Sequence, residues 1–99
     1  MLNITKKLEG GVLDVALDGR LDTNTAPEFQ QEIEPMLGSI SELKLDCEKL
    51  DYISSAGLRV LLATQKVMAK QGTMKLCHVN ETIMEIFEVT GFTDILTIE

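Results

Sequence analysis

The sequence predicts a single α/β domain over residues 1–99, with a mixed, mainly parallel sheet, an N-terminal antiparallel hairpin and helices packed mostly on one sheet face. Three observations predict it. Segments with an apolar residue at every second position alternate with segments of helical period, and strands separated by helices pair in parallel through right-handed crossovers. The first two extended segments are separated only by a two-glycine turn, which joins neighbouring strands antiparallel. The first three strands alternate apolar with polar residues instead of being apolar throughout. One sheet face is therefore covered and the other partly wet, unlike the sheet of a doubly wound nucleotide fold.

Leu2, Ile4 and Leu8 alternate with Asn3, Thr5, Lys7 and Glu9 in the first strand, and Leu13, Val15 and Leu17 with Asp14 and Asp18 in the second. Gly10 and Gly11 between them supply the positive φ of a tight turn. Thr25 reads as the N-cap of the first helix, with Glu28 as its capping-box partner and Pro27 in the first turn, where a missing N–H costs little. Ala26, Phe29, Ile33 and Leu37 follow as a core-facing stripe. Pro35 is expected to bend or stop this helix, and Gly38 suits its exit. Leu43, Leu45 and Cys47 opposite Lys44, Asp46 and Glu48 make a third strand. A second helix from about Ser55 to Lys70 ends at Gly72, and residues 73–79 form the fourth strand. Asn80 caps a third helix carrying Ile83, Ile86 and Phe87 and closed by Gly91, and residues 94–99 end as a short strand.

A chain of 99 residues with 44% hydrophobic and 25% charged residues has the composition of one globular domain with one core. It has no apolar run of membrane-spanning length, and its start lacks the apolar centre of a secretion signal. No membrane insertion and a cytoplasmic location are expected. A net charge of −7 repels phosphate backbones and anionic lipid, so no nucleic-acid partner is expected. Cys47 and Cys77 read as small apolar side chains in a reducing compartment. The single histidine, His78, makes no metal site with them at a recognised spacing and reads as a strand residue near the surface. Neither metal nor cofactor is expected.

The stretch "ISSAGL" places Ser54 and Ser55 between a strand's carboxyl end and a helix start, where side chains and free helix N–H groups converge in α/β folds. The local motif alone favours a purely structural reading: a serine N-cap, with Gly57 allowing close helix packing. Serine catalysis needs a base and oxyanion donors, and the motif lacks the first glycine of a nucleophile elbow, so no enzyme activity is expected. An exposed hydroxyl at a helix start suits a different use, as a phosphate acceptor, because the modification adds about −1.5 to −2 charge where helix N–H groups tolerate it. On the second helix, Leu58, Leu61, Leu62 and Met68 form one stripe. Ala56, Val60, Ala63 and Val67 form another beside Arg59, Lys66 and Lys70. The second stripe either packs under a neighbouring helix, the favoured reading, or extends a docking surface next to Ser55.

Three segments in order, "DGRLDTNTAPEF", "LDCEKLDYISSAGLRVLL" and "IFEVTGFTDIL", resemble the STAS domains, in particular the small bacterial anti-sigma factor antagonists. The resemblance implies a STAS-like fold and a partner switch. In that family the unmodified antagonist binds an anti-sigma factor that is also a serine kinase, phosphorylation breaks the complex, and a PP2C-type phosphatase restores it. Aligned on Gly57, the acceptor position falls on Ser55, with Ser54 the second choice. Ser54 stands where the family usually has aspartate, and Ala56 where it usually has a second hydroxyl. Asp22 matches a loop aspartate that lies near the kinase nucleotide on docking. The partner-binding surface implied is Gly19, Asp22, Thr23, Ser54, Ser55, Gly57 and Arg59. Without the resemblance, Asp22 would be a helix-entry cap, Gly19 a turn residue and Arg59 a solvated helix arginine. Two other roles are compatible with the fold: an unphosphorylated scaffold subunit of an ABC-type lipid transport system, and a small-ligand sensor.

Overall fold

A computed structural model describes residues 2–99. In chain order it contains β1 (Leu2–Glu9), β2 (Val12–Leu21), α1 (Ala26–Leu37), β3 (Glu42–Ile53), α2 (Ser55–Gln71), β4 (Thr73–Cys77), α3 (Glu81–Thr90), a 3₁₀ turn (Phe92–Asp94) and β5 (Thr97–Ile98). The strands lie in the order β1-β2-β3-β4-β5, with β1–β2 antiparallel and the other pairs parallel. A sheet that grows in one direction through right-handed crossovers places every crossover helix on the same face. Accordingly, Phe29 and Ile33 of α1, Leu61 and Met68 of α2, and Ile83 and Phe87 of α3 share one cluster with Leu13, Val15, Leu43, Leu45, Met74 and Leu76 from the strands. The opposite sheet face is wet. It carries Asp14 and Ala16, which are exposed, and Lys44, Asp46, Lys75 and Cys77, which are half-buried. Among the described residues no helix is long and apolar enough to cross a membrane.

β3 carries two more residues than its partner over their shared length. Ala16 faces Asp46 but Asp18 faces Lys49, and Gly19 faces Leu50 but Arg20 faces Tyr52, so β3 bulges twice. Its buried residues are consequently Leu43, Leu45, Cys47, Leu50 and Ile53, in steps of two and then three. The period-two reading stops at the first bulge. β4 pairs with β3 only as far as Asp46–Cys77, which leaves the later β3 carbonyls without a strand on that side. The Asn80 amide fills the gap, donating to the carbonyls of Leu50 at 2.9 Å and Cys47 at 3.3 Å, while its Oδ1 accepts from the Ile83 N–H at 3.0 Å. One side chain both caps α3 and seals the bulged strand.

Several local expectations are corrected. Thr25 precedes α1, but no capping box forms with Glu28, because the Thr25 backbone is already helical and its hydroxyl turns back toward β2. That hydroxyl donates to the Arg20 carbonyl at 2.7 Å and accepts from the Asp22 N–H at 2.8 Å. Pro35 does not end α1, which continues to Leu37; the proline sits in the last turn and leaves the Gln31 carbonyl without its helical donor, at an exposed residue where water can serve instead. β4 stops at Cys77, since His78 has φ +55 and turns the chain out of the sheet, so His78 is not a strand residue. The final strand is only Thr97–Ile98, the preceding residues being spent on the 3₁₀ turn. Of the small-residue stripe on α2, Ala56 and Val60 are half-buried against the core, while Ala63 and Val67 remain exposed beside Ile33 and Leu37 of α1.

Candidate functional site

The site lies where β2 and β3, parallel neighbours, both end at their carboxyl edge. Leu21 closes β2 opposite Ile53 of β3, and the Leu21 carbonyl accepts from the Ser54 N–H at 2.9 Å. The first turn of α2 then passes directly over that carbonyl. A Cβ placed on Gly57 would lie 2.8 Å from the Leu21 oxygen and 2.9 Å from Leu21 Cγ, so only glycine lets the helix approach this closely. One buried carbonyl thereby ties the exit of β3, the start of α2 and the loop after β2 into one unit.

The two serines are not equivalent. Ser54 is half-buried, in extended conformation (φ −91°, ψ 175°), and serves as N-cap: its Oγ accepts from the Gly57 N–H at 3.4 Å and its carbonyl from the Leu58 N–H at 2.9 Å. Ser55 is the first residue of α2 and is exposed. The first N–H groups of a helix have no intrahelical acceptor and carry the positive end of its dipole, which favours negative charge at this spot. Arg59 is exposed one turn later, at the i+4 position from Ser55, where an anion and a cation on a helix surface meet.

Across from the serines, the loop after β2 is fixed by Asp22. Its Oδ1 accepts from the N–H groups of Asn24 (3.0 Å) and Thr25 (3.1 Å), and at 3.2 Å it shares the proton that the Thr25 hydroxyl gives chiefly to the Arg20 carbonyl. The Thr25 N–H holds this carboxyl below the usual carboxylate range; desolvation opposes the shift, and the Asn24 N–H and Thr25 hydroxyl add to it. Its other oxygen, Oδ2, lies 3.8 Å from Arg20 Nε. Thr23 is exposed at the tip of the turn. Gly19 is not a turn residue: it lies within β2 at a register shift, with φ +122.

Asp22, Thr23, Ser54, Ser55 and Arg59 thus gather on one rim of the domain, with Gly19 inside the strand leading to it and Gly57 buried beneath it. Two residues of this rim lie outside the set that the sequence suggests. Arg20 and Tyr52 are ladder partners on the open sheet face, with the guanidinium carbon 4.5 Å from the ring centroid, and the same guanidinium faces Asp22. Both are polar or aromatic residues close to Asp22 and Ser54 in sequence, but their pairing depends on the two β3 bulges, which no local pattern encodes.

Both cysteines are free thiols, and burial pushes the buried Cys47 thiol up to about 12. Desolvation also raises the half-buried Cys77 thiol. Cys77 and His78 do meet a third potential ligand, though not the one considered from spacing: Asp46, their neighbour on β3.

The STAS domain family model matches residues 3–99. The anti-sigma-B factor antagonist of Bacillus subtilis is 29% identical over 98 residues, spanning 98% of this chain and 90% of that protein. The crystal structure of an anti-sigma factor antagonist from Mycobacterium paratuberculosis superposes with a TM-score of 0.89 at 22% identity, over 99% of this chain and 85% of that one. The phosphorylated form of the Bacillus cell fate determinant SpoIIAA superposes with a TM-score of 0.76 at 17% identity, over 98% of this chain and 91% of that one.

Proposed function

The chain belongs to the STAS domain family, and from that premise we propose that it is an anti-sigma factor antagonist working as a partner switch. Unmodified, it docks the β2–β3 rim onto an anti-sigma factor that is also a serine kinase. Transfer of a phosphoryl group to Ser55 releases it, and a PP2C-type phosphatase resets it. Ser55, Asp22, Thr23, Ser54 and Arg59 contribute contacts, while Gly19 and Gly57 shape the backbone that presents them.

The observation that carries this reading is the division of labour between the serines: Ser54 is committed to capping, whereas Ser55 is exposed at the helix start. A dianion on Ser55 meets free N–H groups and Arg59 and so leaves the helix intact. The same dianion at a docked interface is desolvated against the partner, where an incompatible charge lowers affinity by about ten- to a hundredfold, or about 1.4–2.8 kcal/mol.

The test is phosphorylation by an anti-sigma factor kinase from the same genome, read by intact mass and peptide mapping, alongside titration of the complex. Wild type gains one phosphoryl group on Ser55. Ser55→Ala gains none and binds in the presence of ATP, Ser55→Glu binds weakly, and Ser54→Ala is still modified. A phosphoryl group mapped to Ser54 overturns the assignment within the pair. A protein that binds the kinase yet is never modified overturns the switch.

A further inference from the structure

The geometry points to a second site, independent of the switch: Asp46, Cys77 and His78 form a three-ligand site for a zinc-class divalent cation on the edge of the open sheet face. Asp46 and Cys77 are direct ladder partners in β3 and β4, and their side chains are both half-buried on that face. His78 follows the strand in the left-handed backbone region, φ +55, where it is the only non-glycine residue among those described. That conformation is disfavoured for a side-chain-bearing residue, and it turns the imidazole back over the sheet. His78 Nδ1 comes to 3.3 Å from Asp46 Oδ1, and the ligand atoms of all three residues lie within 4.8 Å of one another.

These separations suit the metal. With bonds of about 2.0–2.3 Å, a tetrahedral zinc ion sets its ligand atoms about 3.3–3.8 Å apart. The histidine–aspartate edge already has that length, and the Cys77 thiol, within 4.8 Å of both ligand atoms and now 3.6 Å from the Leu45 carbonyl, has to turn from that carbonyl to complete the site. A thiolate with an imidazole selects zinc, cobalt or copper over magnesium and calcium, which prefer oxygen donors. The side chains of His78 and Asp46 are 63% and 40% exposed, which gives the ion a route in and leaves a fourth position to water. Of the charged neighbours in the same concavity, Asp14 favours a cation. Lys7 and Lys44 oppose it, but Lys44 is engaged by Glu42 at 3.5 Å and Lys7 reaches Glu9 at 4.0 Å.

The test is titration of the full chain with cobalt(II) under reducing conditions, followed by displacement with zinc(II). Wild type binds one equivalent and shows a thiolate-to-cobalt charge-transfer band with the strong visible bands of a tetrahedral ion. Cys47→Ser, whose thiol lies on the buried face, keeps both. Cys77→Ser loses the charge-transfer band. Asp46→Asn and His78→Asn, the latter chosen because asparagine tolerates the left-handed backbone, weaken binding at least about tenfold. The proposal is overturned if wild type shows no charge-transfer band, if the band depends on Cys47 instead of Cys77, or if the Asp46 and His78 variants bind as wild type does, which would mark an isolated thiol.

Discussion

Replacing Gly57 by alanine sets two terms against each other at the point where the rim is fastened. Alanine is the better helix former, and removing a glycine from a helix contributes up to about 1 kcal/mol. Against this, the new methyl lies 2.8 Å from the Leu21 carbonyl oxygen, 2.9 Å from Leu21 Cγ and 3.1 Å from Ile53 Cγ2. Leu21 cannot give way, because its carbonyl is held by the Ser54 N–H at 2.9 Å and its side chain is 0% exposed. Overpacking costs about 1–3 kcal/mol, and a methyl driven against a held backbone oxygen belongs to the upper half of that range, about 2–3 kcal/mol, so after the helix gain the net effect is a destabilisation of about 1–2 kcal/mol. For a domain of this size that lowers Tm by roughly 5–15 °C. Gly38→Ala supplies the control, since Gly38 has ordinary helical angles (φ −66°, ψ −16°) and a methyl there would have no atom within 4 Å. It should be stabilising by about 0.4–1 kcal/mol. Urea unfolding of both variants, with the m-value monitored for a two-state transition, measures the pair. A Gly57→Ala protein as stable as wild type, or more so, would refute the claim that β2 and α2 touch through this glycine.

Two further perturbations probe the same rim and its support. Asn80→Ala removes the α3 cap and the donors that reach the Leu50 and Cys47 carbonyls, and should cost about 2–3 kcal/mol in urea unfolding. Asn80→Asp keeps the cap acceptor but sets a carboxylate against those carbonyls, so full recovery with aspartate would show that the strand contacts contribute nothing. Asp22→Ala tests the depressed carboxyl. A group whose folded pKa is lowered stabilises the fold above its unfolded pKa and loses that contribution as pH falls through the folded value. The stability gap between wild type and Asp22→Ala is therefore widest at neutral pH and closes below about pH 4, near the usual aspartate pKa; a gap that is constant with pH would show that the carboxylate charge is not what fixes the loop.

The element order was legible because each helix and strand carries its own periodic pattern. Ala26, Phe29, Ile33 and Leu37 mark the buried side of α1, and Asn80 and Gly91 bracket α3, all from local sequence. What escaped was set by contacts between distant segments. The bulges in β3 follow from matching twelve residues to ten in β2, and the pairing of Arg20 with Tyr52 follows from the bulges. The Thr25 hydroxyl bonds to Arg20 and Asp22 because the end of β2, not Glu28, lies within its reach. Likewise, Cys77 and His78 looked isolated because their neighbour Asp46 is supplied by the adjacent strand of the ladder. Exposure of Ser55 could not be read from "SSAG" either, since either serine suits an N-cap; the Leu21 carbonyl decides by taking the Ser54 N–H and turning the next residue outward.

That geometry also determines where the proposed switch would act. A phosphoryl group on the half-buried cap, Ser54, would have to break the Ser54–Gly57 contact and disturb the packing of α2 on Leu21, coupling modification to the helix start. On Ser55 it changes surface charge, from −7 to about −8.5 or −9 for the whole chain, while the carbonyl-centred junction beneath stays packed. Under the proposed function, the free energy of modification would then be expressed almost wholly in association, as a differential affinity between two forms of one fold. Stability and binding should consequently separate. The Ser55→Glu variant should unfold at nearly the wild-type urea midpoint while losing at least tenfold in affinity for its partner. A Ser55→Glu protein whose loss of binding tracks a loss of stability would place the switch in the helix junction instead of on its surface.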